Sequence, residues 1–313
     1  MELGHVVVLA GGLSYEREVS LRSGRRVADA LRARDIPVEL RDADATLLDS
    51  LTDDPPDVVF PVLHGAAGED GSIRDVLELL DVPYVGARPD ACRVAWDKPT
   101  AKSVVRRAGL RTPDSVALPK EVFHDLGATS VMDKIVGSLG LPLFVKPTRG
   151  GSALGASVVH EASGLSAAMV GCFAYGDAAL VERYIEGTEV SVSVIERDGT
   201  PTALPAVEIV APGGIYDYTA RYDAGDTEFV TPARLTPEAS TRATAAAVTA
   251  HRALGLRDLS RTDLIVSQDG EVHFLEVNVA PGMTETSLLP RAVSVAGLEL
   301  GEVCESLLQA HLH

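Results

Sequence analysis

Cysteine, aromatic residues, basic charge and long apolar runs are all scarce in this chain, and each scarcity narrows what it can be. Three cysteines occur in 313 residues (Cys92, Cys172, Cys304), with no CxxC pair and no ladder of spacings. That count gives neither a disulfide framework nor a zinc site, and it suits a reducing cytosol. Lys and Arg number 28 against 45 Asp and Glu, a formal charge of −17. A broad nucleic-acid surface needs a basic patch to meet the phosphate backbone, so no nucleic-acid partner is expected. Local phosphate binding by a few Lys, Arg and backbone N–H groups stays open. Aromatics make up 4% of the chain, so its cores should be aliphatic. No apolar run approaches the roughly 20 residues needed to span a bilayer. Met1 to Leu9 lacks the basic and long apolar regions of a signal peptide. The expectation is a cytoplasmic protein with no membrane partner.

What is present is an ordinary globular composition, 46% hydrophobic and 23% charged. The length suggests two or three packed domains. His5 to Ala10 (HVVVLA) reads as a strand buried on both faces, ended by Gly11-Gly12. A helical pattern follows from about Glu18 to Arg34. Further strands fit Val38 to Arg41, Val58 to Leu63 and Val82 to Val85, with a helix near Ile73 to Leu80. Strands alternating with helices predict a parallel sheet, whose ligands bind beyond the carboxyl ends of its strands. Gly11-Gly12 and His64-Gly65 lie at such ends.

Helical character returns from about Lys98 to Ala108, and strands fit Phe144 to Lys146 and Ala156 to His160, joined by the glycine-rich loop Arg149 to Gly155. Strands at Ala179 to Arg183 and Val190 to Glu196 suggest an antiparallel sheet. Pro212 to Thr231 reads as a long polar loop with Tyr216, Tyr218 and Tyr222. Thr236-Pro237 is a cap and first-turn pair for a helix reaching Leu254, with Gly255 as its stop. Strands at Asp263 to Val266 and Val272 to Val277 follow. A C-terminal amphipathic helix places Leu300, Val303, Cys304, Leu307 and Leu308 on one face.

Two clusters carry chemistry in their residue types. Glu276 and Asn278 share one face of a strand, and a hairpin through Asp269-Gly270 could bring Asp263 alongside. Two carboxylates and an amide oxygen are hard ligands of the kind Mg²⁺ takes beside substrate phosphates, although an ordinary solvated strand face would look the same. Lys98, Lys146 and the loop from Arg149 to Gly155 form the second cluster. Glycines let backbone N–H groups approach phosphate oxygens and a lysine supplies a point charge, although a glycine loop can also be a plain turn. The chain has no GxxxxGK[ST], and Gly11-Gly12 does not extend to GxGxxG. A P-loop NTPase and a Rossmann dehydrogenase are therefore disfavoured. Glu16, Ser152, Tyr222, His64 and Arg261 say little one by one.

Seven ordered segments give these residues a common setting. They are Gly11 to Leu21 (GGLSYEREVSL), His64-Gly65 with Gly68 to Gly71 (GEDG), Asp97-Lys98, Lys146 to Arg149 with its glycine loop, Tyr216 to Tyr222, Arg261 to Asp263, and Leu275 to Thr284 (LEVNVAPGMT). In content and order they resemble the motifs of D-alanine–D-alanine ligases, and they cover nearly the whole chain. The resemblance implies an α/β, three-domain ATP-grasp fold: an N-terminal parallel-sheet domain (1–90), a central domain with the glycine loop (91–184) and a C-terminal domain with an omega loop and metal site (185–313). It implies an ADP-forming ligase that makes D-alanyl-D-alanine for peptidoglycan precursors through an acyl phosphate. ATP and D-alanine would be its substrates, Mg²⁺ or Mn²⁺ its metal, with two ions, and a homodimer its assembly.

Residue by residue, the resemblance implies metal ligands at Asp263, Glu276 and Asn278. It implies ATP contacts at Lys98, Lys146, Gly151, Glu182, Arg183, Ile185, Glu189 and Arg221. Glu16, helped by His64, would hold the first ammonium, and Ser152 and Tyr222 would bridge to Glu16. Arg261 and the Gly282 N–H would stabilise the oxyanion, and Ser287 and Leu288 would bind the second carboxylate. Arg221 stands where relatives carry lysine, Gly150 and Ala153 replace a Glu and a Ser of the commoner glycine loop, and Thr286 stands where histidine is frequent. These departures bear on substrate preference and rate. Two other readings are a sister ligase with another acceptor, making D-alanyl-D-lactate, D-alanyl-D-serine or a specialised dipeptide, and a non-catalytic nucleotide-binding or regulatory paralogue. Glu16, Ser152, Tyr222, Asp263, Glu276 and Asn278 are all present, which disfavours the latter.

Overall fold

A five-residue apolar strand with no polar side can only sit inside a sheet covered on both faces. In the computed structural model, which describes residues 4–211 and 227–312, that is its position. Strand β1 (Val6–Ala10) is buried throughout and runs parallel to β2 (Val38–Asp42) on one side and β3 (Val58–Pro61) on the other. The crossover helix Arg17–Arg32 buries Val27, Ala28 and Leu31 against this sheet. A Cβ on Gly24 would stand 2.5 Å from the Ala10 Cβ, so glycine is what allows the helix this close. The strand expected at Val82 to Val85 is reduced to one parallel bridge, Val59 to Tyr84. Pro83 has no N–H to donate, and only its carbonyl is used, by the Val59 N–H at 2.8 Å.

The second sheet is antiparallel, in the order β4 (Ser115–Pro119), β7 (Ala178–Arg183), β5 (Leu143–Pro147), β6 (Ser157–Val159). Helices Lys120–Asp125, Ala128–Leu139 and Leu165–Phe173 accompany it, and Phe123 meets Phe173 edge-on at 5.6 Å. The third sheet has six strands: β8 (Gly187–Arg197), β9 (Thr200–Ala203), β10 (Val207–Val210), β11 (Glu228–Val230), β12 (Leu259–Ser267) and β13 (Val272–Asn278). Its order is β11-β10-β8-β12-β13, with β9 on β8. Helix Pro237–Ala253 packs its alanines on this sheet; the Thr236 side chain caps it by accepting the Ala239 N–H at 3.2 Å. Its sequence signature, a Thr-Pro start, reads directly into the structure.

The last helices, Leu288–Val295 and Leu300–Gln309, return to the first layer. Leu289, Val293, Leu307 and Leu308 share a core with Val6, Val8 and Leu31. This return carries the loop from Val279 to Ser287 to the carboxyl ends of β1 and β3, where Gly11-Gly12 and His64-Gly65 begin. Arg221 and Tyr222, with the expected polar loop from 212 to 226, lie outside the described residues.

Candidate active site

Helix Lys98–Arg107 begins with a cap: the Asp97 carboxylate accepts the Thr100 N–H at 3.1 Å, and Arg149 reaches the other oxygen at 3.0 Å. Lys98 at the first helical position then turns inward, its Nζ donating to the Gly150 carbonyl at 2.6 Å. On β5 and β7, Lys146 and Glu182 meet at 3.1 Å, and Lys102 reaches the same glutamate from the helix at 2.5 Å. Glu276 on β13 lies 3.6 Å from Lys98 and 3.9 Å from Lys146. The result is a buried chain of alternating charge.

Burial alone would raise Glu182, but the two lysines outweigh it and hold its carboxyl below the usual range. Burial would likewise lower Lys146, but Glu182 and Glu276 raise it. Lys98, where burial dominates over the pull of Glu276, is lowered. Burial also brings Lys102 down to about 8 in spite of Glu182. Above these groups opens a cleft of about 940 Å³. Its walls include the apolar Phe144, Ile185, Ile265 and Leu275, as a flat heterocycle requires, and Lys98, Lys146, Glu182 and Glu276 supply its charged groups. Gly151, Arg183 and Glu189 also line it.

A second cavity of about 930 Å³ lies on the other side of the glycine loop. Glu16, His64, Ser152, Arg261, Gly282, Ser287 and Leu288, seven residues singled out by sequence, all line it. Ser152 and Ala153 both carry φ near +54°, a conformation that side chains avoid, and it aims the Ser152 hydroxyl at Glu16. That hydroxyl donates to the Glu16 carboxylate at 2.5 Å, across 136 residues of sequence. His64 is buried; its Nδ1–H donates to the Ala280 carbonyl at 3.0 Å, and its Nε2 meets the Ser23 hydroxyl at 3.1 Å. Burial, partly opposed by Glu16, lowers its pKa and keeps the ring neutral. Ser287 precedes helix Leu288–Val295 and hydrogen-bonds Thr284, so the helix N-terminus faces the cavity.

A smaller space of about 340 Å³ joins the two, lined by Lys98 and Glu276 from the first and by Glu69, Ser152 and Arg261 from the second. Antiparallel register sets Asp263 opposite Glu276 and Arg261 opposite Asn278, with a bulge after Asp263. Arg261 clasps Asp263 with two hydrogen bonds of 2.9 Å, and Ser191 gives it a third at 2.8 Å. The Asn278 amide oxygen accepts the Ala280 N–H at 2.7 Å. Three hard oxygen donors on neighbouring strands, close to Lys98 and Lys146, are of the type a Mg²⁺ ion takes; Asp263 Oδ2 accepts one hydrogen bond and keeps a lone pair, whereas its Oδ1 accepts two.

Family models for the D-ala D-ala ligase C-terminus and N-terminus match residues 104–309 and 45–87. A D-alanine–D-alanine ligase of Anaeromyxobacter sp. (strain K) is 43% identical over 306 residues, covering 97% of this chain and 95% of the relative. The chain belongs to the D-alanine–D-alanine ligase family. Among solved structures, the VanG D-Ala:D-Ser ligase from Enterococcus faecalis superposes with a TM-score of 0.85 at 30% identity, covering 99% of this chain and 100% of that one. The D-alanine–D-alanine ligase from Bacillus anthracis complexed with ATP gives 0.82 at 27%, covering 99% and 97%. The fold is thus the mixed α/β ATP-grasp fold of this family.

Within this family member, sequence reasoning missed Lys102 and Glu69. Lys102 follows Lys98 by four residues on one helix face, a spacing that could have revealed it. Glu69 lies inside the quoted GEDG segment, an acid between glycines just past a strand end. No helix among the described residues is long and apolar enough to cross a membrane.

Proposed function

We propose that this protein is an ATP-dependent ligase that joins two D-alanines into D-alanyl-D-alanine for cell-wall precursors, releasing ADP and phosphate. The observation that carries this reading is the junction: a cleft with apolar walls and paired charges and a cavity lined by Glu16, Ser152 and Arg261 meet where Lys98, Glu276, Arg261 and Ser152 converge. In the first step the carboxylate of one D-alanine attacks the γ-phosphate. Lys98, Lys146 and the N–H groups of the glycine loop hold the phosphates, and charge is stabilised where it develops. Asp263, Glu276 and Asn278 would hold two Mg²⁺ or Mn²⁺ ions, which would offset the negative charge of the phosphates. Glu182, Arg183, Ile185 and Glu189 hold the adenosine end, with Arg221 toward the phosphates.

In the second step the amine of another D-alanine attacks the acyl carbon. Glu16 holds the first ammonium against the wall that includes His64, and Arg261 with the Gly282 N–H receives the oxyanion. Ser287, Leu288 and the helix N-terminus behind them bind the second carboxylate. Ser152 ties Glu16 to the glycine loop, and Tyr222 is assigned to the same link, whose role is to exclude the water that would hydrolyse the acyl phosphate. The three units 1–90, 91–184 and 185–313, a cytoplasmic location and a homodimer belong to the same reading.

A second reading shares this chemistry with another acceptor. Thr284, Thr286 and Ser287 line the second cavity with hydroxyls, and VanG, a D-Ala:D-Ser ligase, is a close structural neighbour. Mass spectrometry of products from ATP, Mg²⁺ and mixed D- and L-amino acids with D-lactate separates them. D-alanyl-D-alanine is the expected dominant product; D-alanyl-D-serine or an ester in its place assigns the sister activity, and no D-alanine-dependent product rejects both.

A further inference from the structure

Two amino acids enter one cavity in the proposed reaction, and their two ammonium groups have opposite fates. The first must stay charged, because its carboxylate is the one activated. The second must lose protons, because its nitrogen becomes an amide. Among the described residues two carboxyls line that space, Glu16 and Glu69.

Their settings differ. Glu16 has its Oε1 bound by the Ser152 hydroxyl. Glu69 is buried, its Oε1 accepts the Gly65 N–H at 3.0 Å, and no hydrogen bond reaches its Oε2 among the described residues. It lines both the amino-acid cavity and the junction, where the acyl carbon must lie. Gly151 leaves room beside both: a Cβ there would stand 3.5 Å from Glu16 Oε2 and 3.9 Å from Glu69 Oε1. Among the described residues lining the cavity, the imidazole of His64 is already engaged. A carbonyl can only accept, so Nδ1 carries the ring proton, and the Nε2 lone pair faces the Ser23 hydroxyl.

We infer that Glu69 is the proton acceptor for the second amino acid, an inference that rests on the ligase reading above. The step balances as follows. One ammonium proton passes to the Glu69 carboxylate, and the freed nitrogen lone pair forms the C–N bond. The bond from the acyl carbon to the phosphate oxygen breaks, and its electrons leave on inorganic phosphate. Phosphate takes the second nitrogen proton, and Glu69 returns its own to solvent through the cavity.

The charge setting suits this role. Burial first, then the neighbouring Glu16 charge, push the Glu69 carboxyl up to about 8, against smaller opposing pulls from the Gly65 N–H, Arg261 and Lys98. An ordinary glutamate near about 4.3 is too weak a base for an ammonium, and catalytic bases work best when poised near the operating pH.

The test compares wild type with Glu69→Gln, which keeps size and loses basicity. Dipeptide turnover near neutral pH should fall about 10²-fold or more, with the loss shrinking at alkaline pH as free amine becomes abundant. D-alanine-dependent positional isotope exchange in ATP, which reports only the first step, should be retained. Glu69→Asp, which keeps an acid, should be more active than Glu69→Gln. Thermal melting gives a readout apart from activity. Between the ordinary glutamate range and about 8 the folded protein holds a proton that the unfolded chain has released, so rising pH favours unfolding there. Glu69→Gln should remove that slope. Unimpaired dipeptide turnover in Glu69→Gln, or equal loss of exchange and ligation, overturns the proposal while wild-type activity leaves the ligase reading intact. A wild type that makes no dipeptide overturns both.

Discussion

The two halves of the site handle charge in opposite ways. In the cleft over Lys98 and Lys146 the buried charges of the described residues alternate in sign: Lys102 and Lys146 on Glu182, and Lys98 and Lys146 beside Glu276. In the cavity beside Ser152, two carboxyls among the described residues face the same space, and the proximity of Glu16 helps to raise Glu69. The cleft is pre-neutralised, so it can receive a polyanion by exchanging partners. The cavity sets two carboxyls close enough for one to raise the other, with Arg22 and Arg261 also on its walls. Charge placement, more than shape, separates the two halves.

Breaking the paired half should have the largest effect on stability. Lys102→Met leaves Glu182 buried with one lysine, and removal of one partner from a buried pair costs about 3–5 kcal/mol. Since Lys146 still reaches Glu182 at 3.1 Å, the lower end is expected. Urea unfolding measures it; a loss under about 1 kcal/mol, the size for an exposed pair, would mean that the cleft is wetter than its burial suggests. Next comes Glu276→Gln, which should keep folding and lower turnover by about 10²-fold or more. Near-normal turnover with an unchanged Mg²⁺ requirement would remove Glu276 from the metal ligands.

On the cavity side, Ser152→Ala deletes the hydrogen bond to Glu16. A bond to a charged group contributes about 1.5–3 kcal/mol, so kcat/KM for D-alanine should fall about 10- to 100-fold. The KM for ATP should change little, and an equal rise in both KM values would show that the glycine loop as a whole has shifted. The smallest effect is a control far from both halves. Thr236→Ala removes the cap of helix Pro237–Ala253 and should cost about 1 kcal/mol with unchanged kinetics. Altered kinetics there would mean that the third sheet transmits strain into the site.

Much of this was legible in the sequence, and the physical reasons are specific. β1 announced itself by continuous Val and Leu, the capped helix by Thr236-Pro237, and the facing of Asp263 and Glu276 by the Asp269-Gly270 hairpin. Short elements without clear periodicity were missed, among them Ser115–Pro119 and the helices Pro89–Trp96 and Leu165–Phe173. The Val82 to Val85 strand failed because one proline broke its ladder. Most of the described candidate residues fall on the walls of two adjoining cavities, but the sequence could not say how they divide. Nor could it assign the Lys102–Glu182 pair, since 80 residues separate its members and the helix that carries Lys102 packs on the third sheet while Glu182 lies on the second.

The central claim is that a carboxylate is activated in the cleft and consumed in the cavity, with one atom crossing the junction. It is tested most directly by supplying D-alanine labelled with ¹⁸O in its carboxyl group and following the label by ³¹P NMR. The account predicts one ¹⁸O in each inorganic phosphate released, with one ADP formed per dipeptide. Phosphate without label, or AMP and pyrophosphate in place of ADP and phosphate, would contradict it.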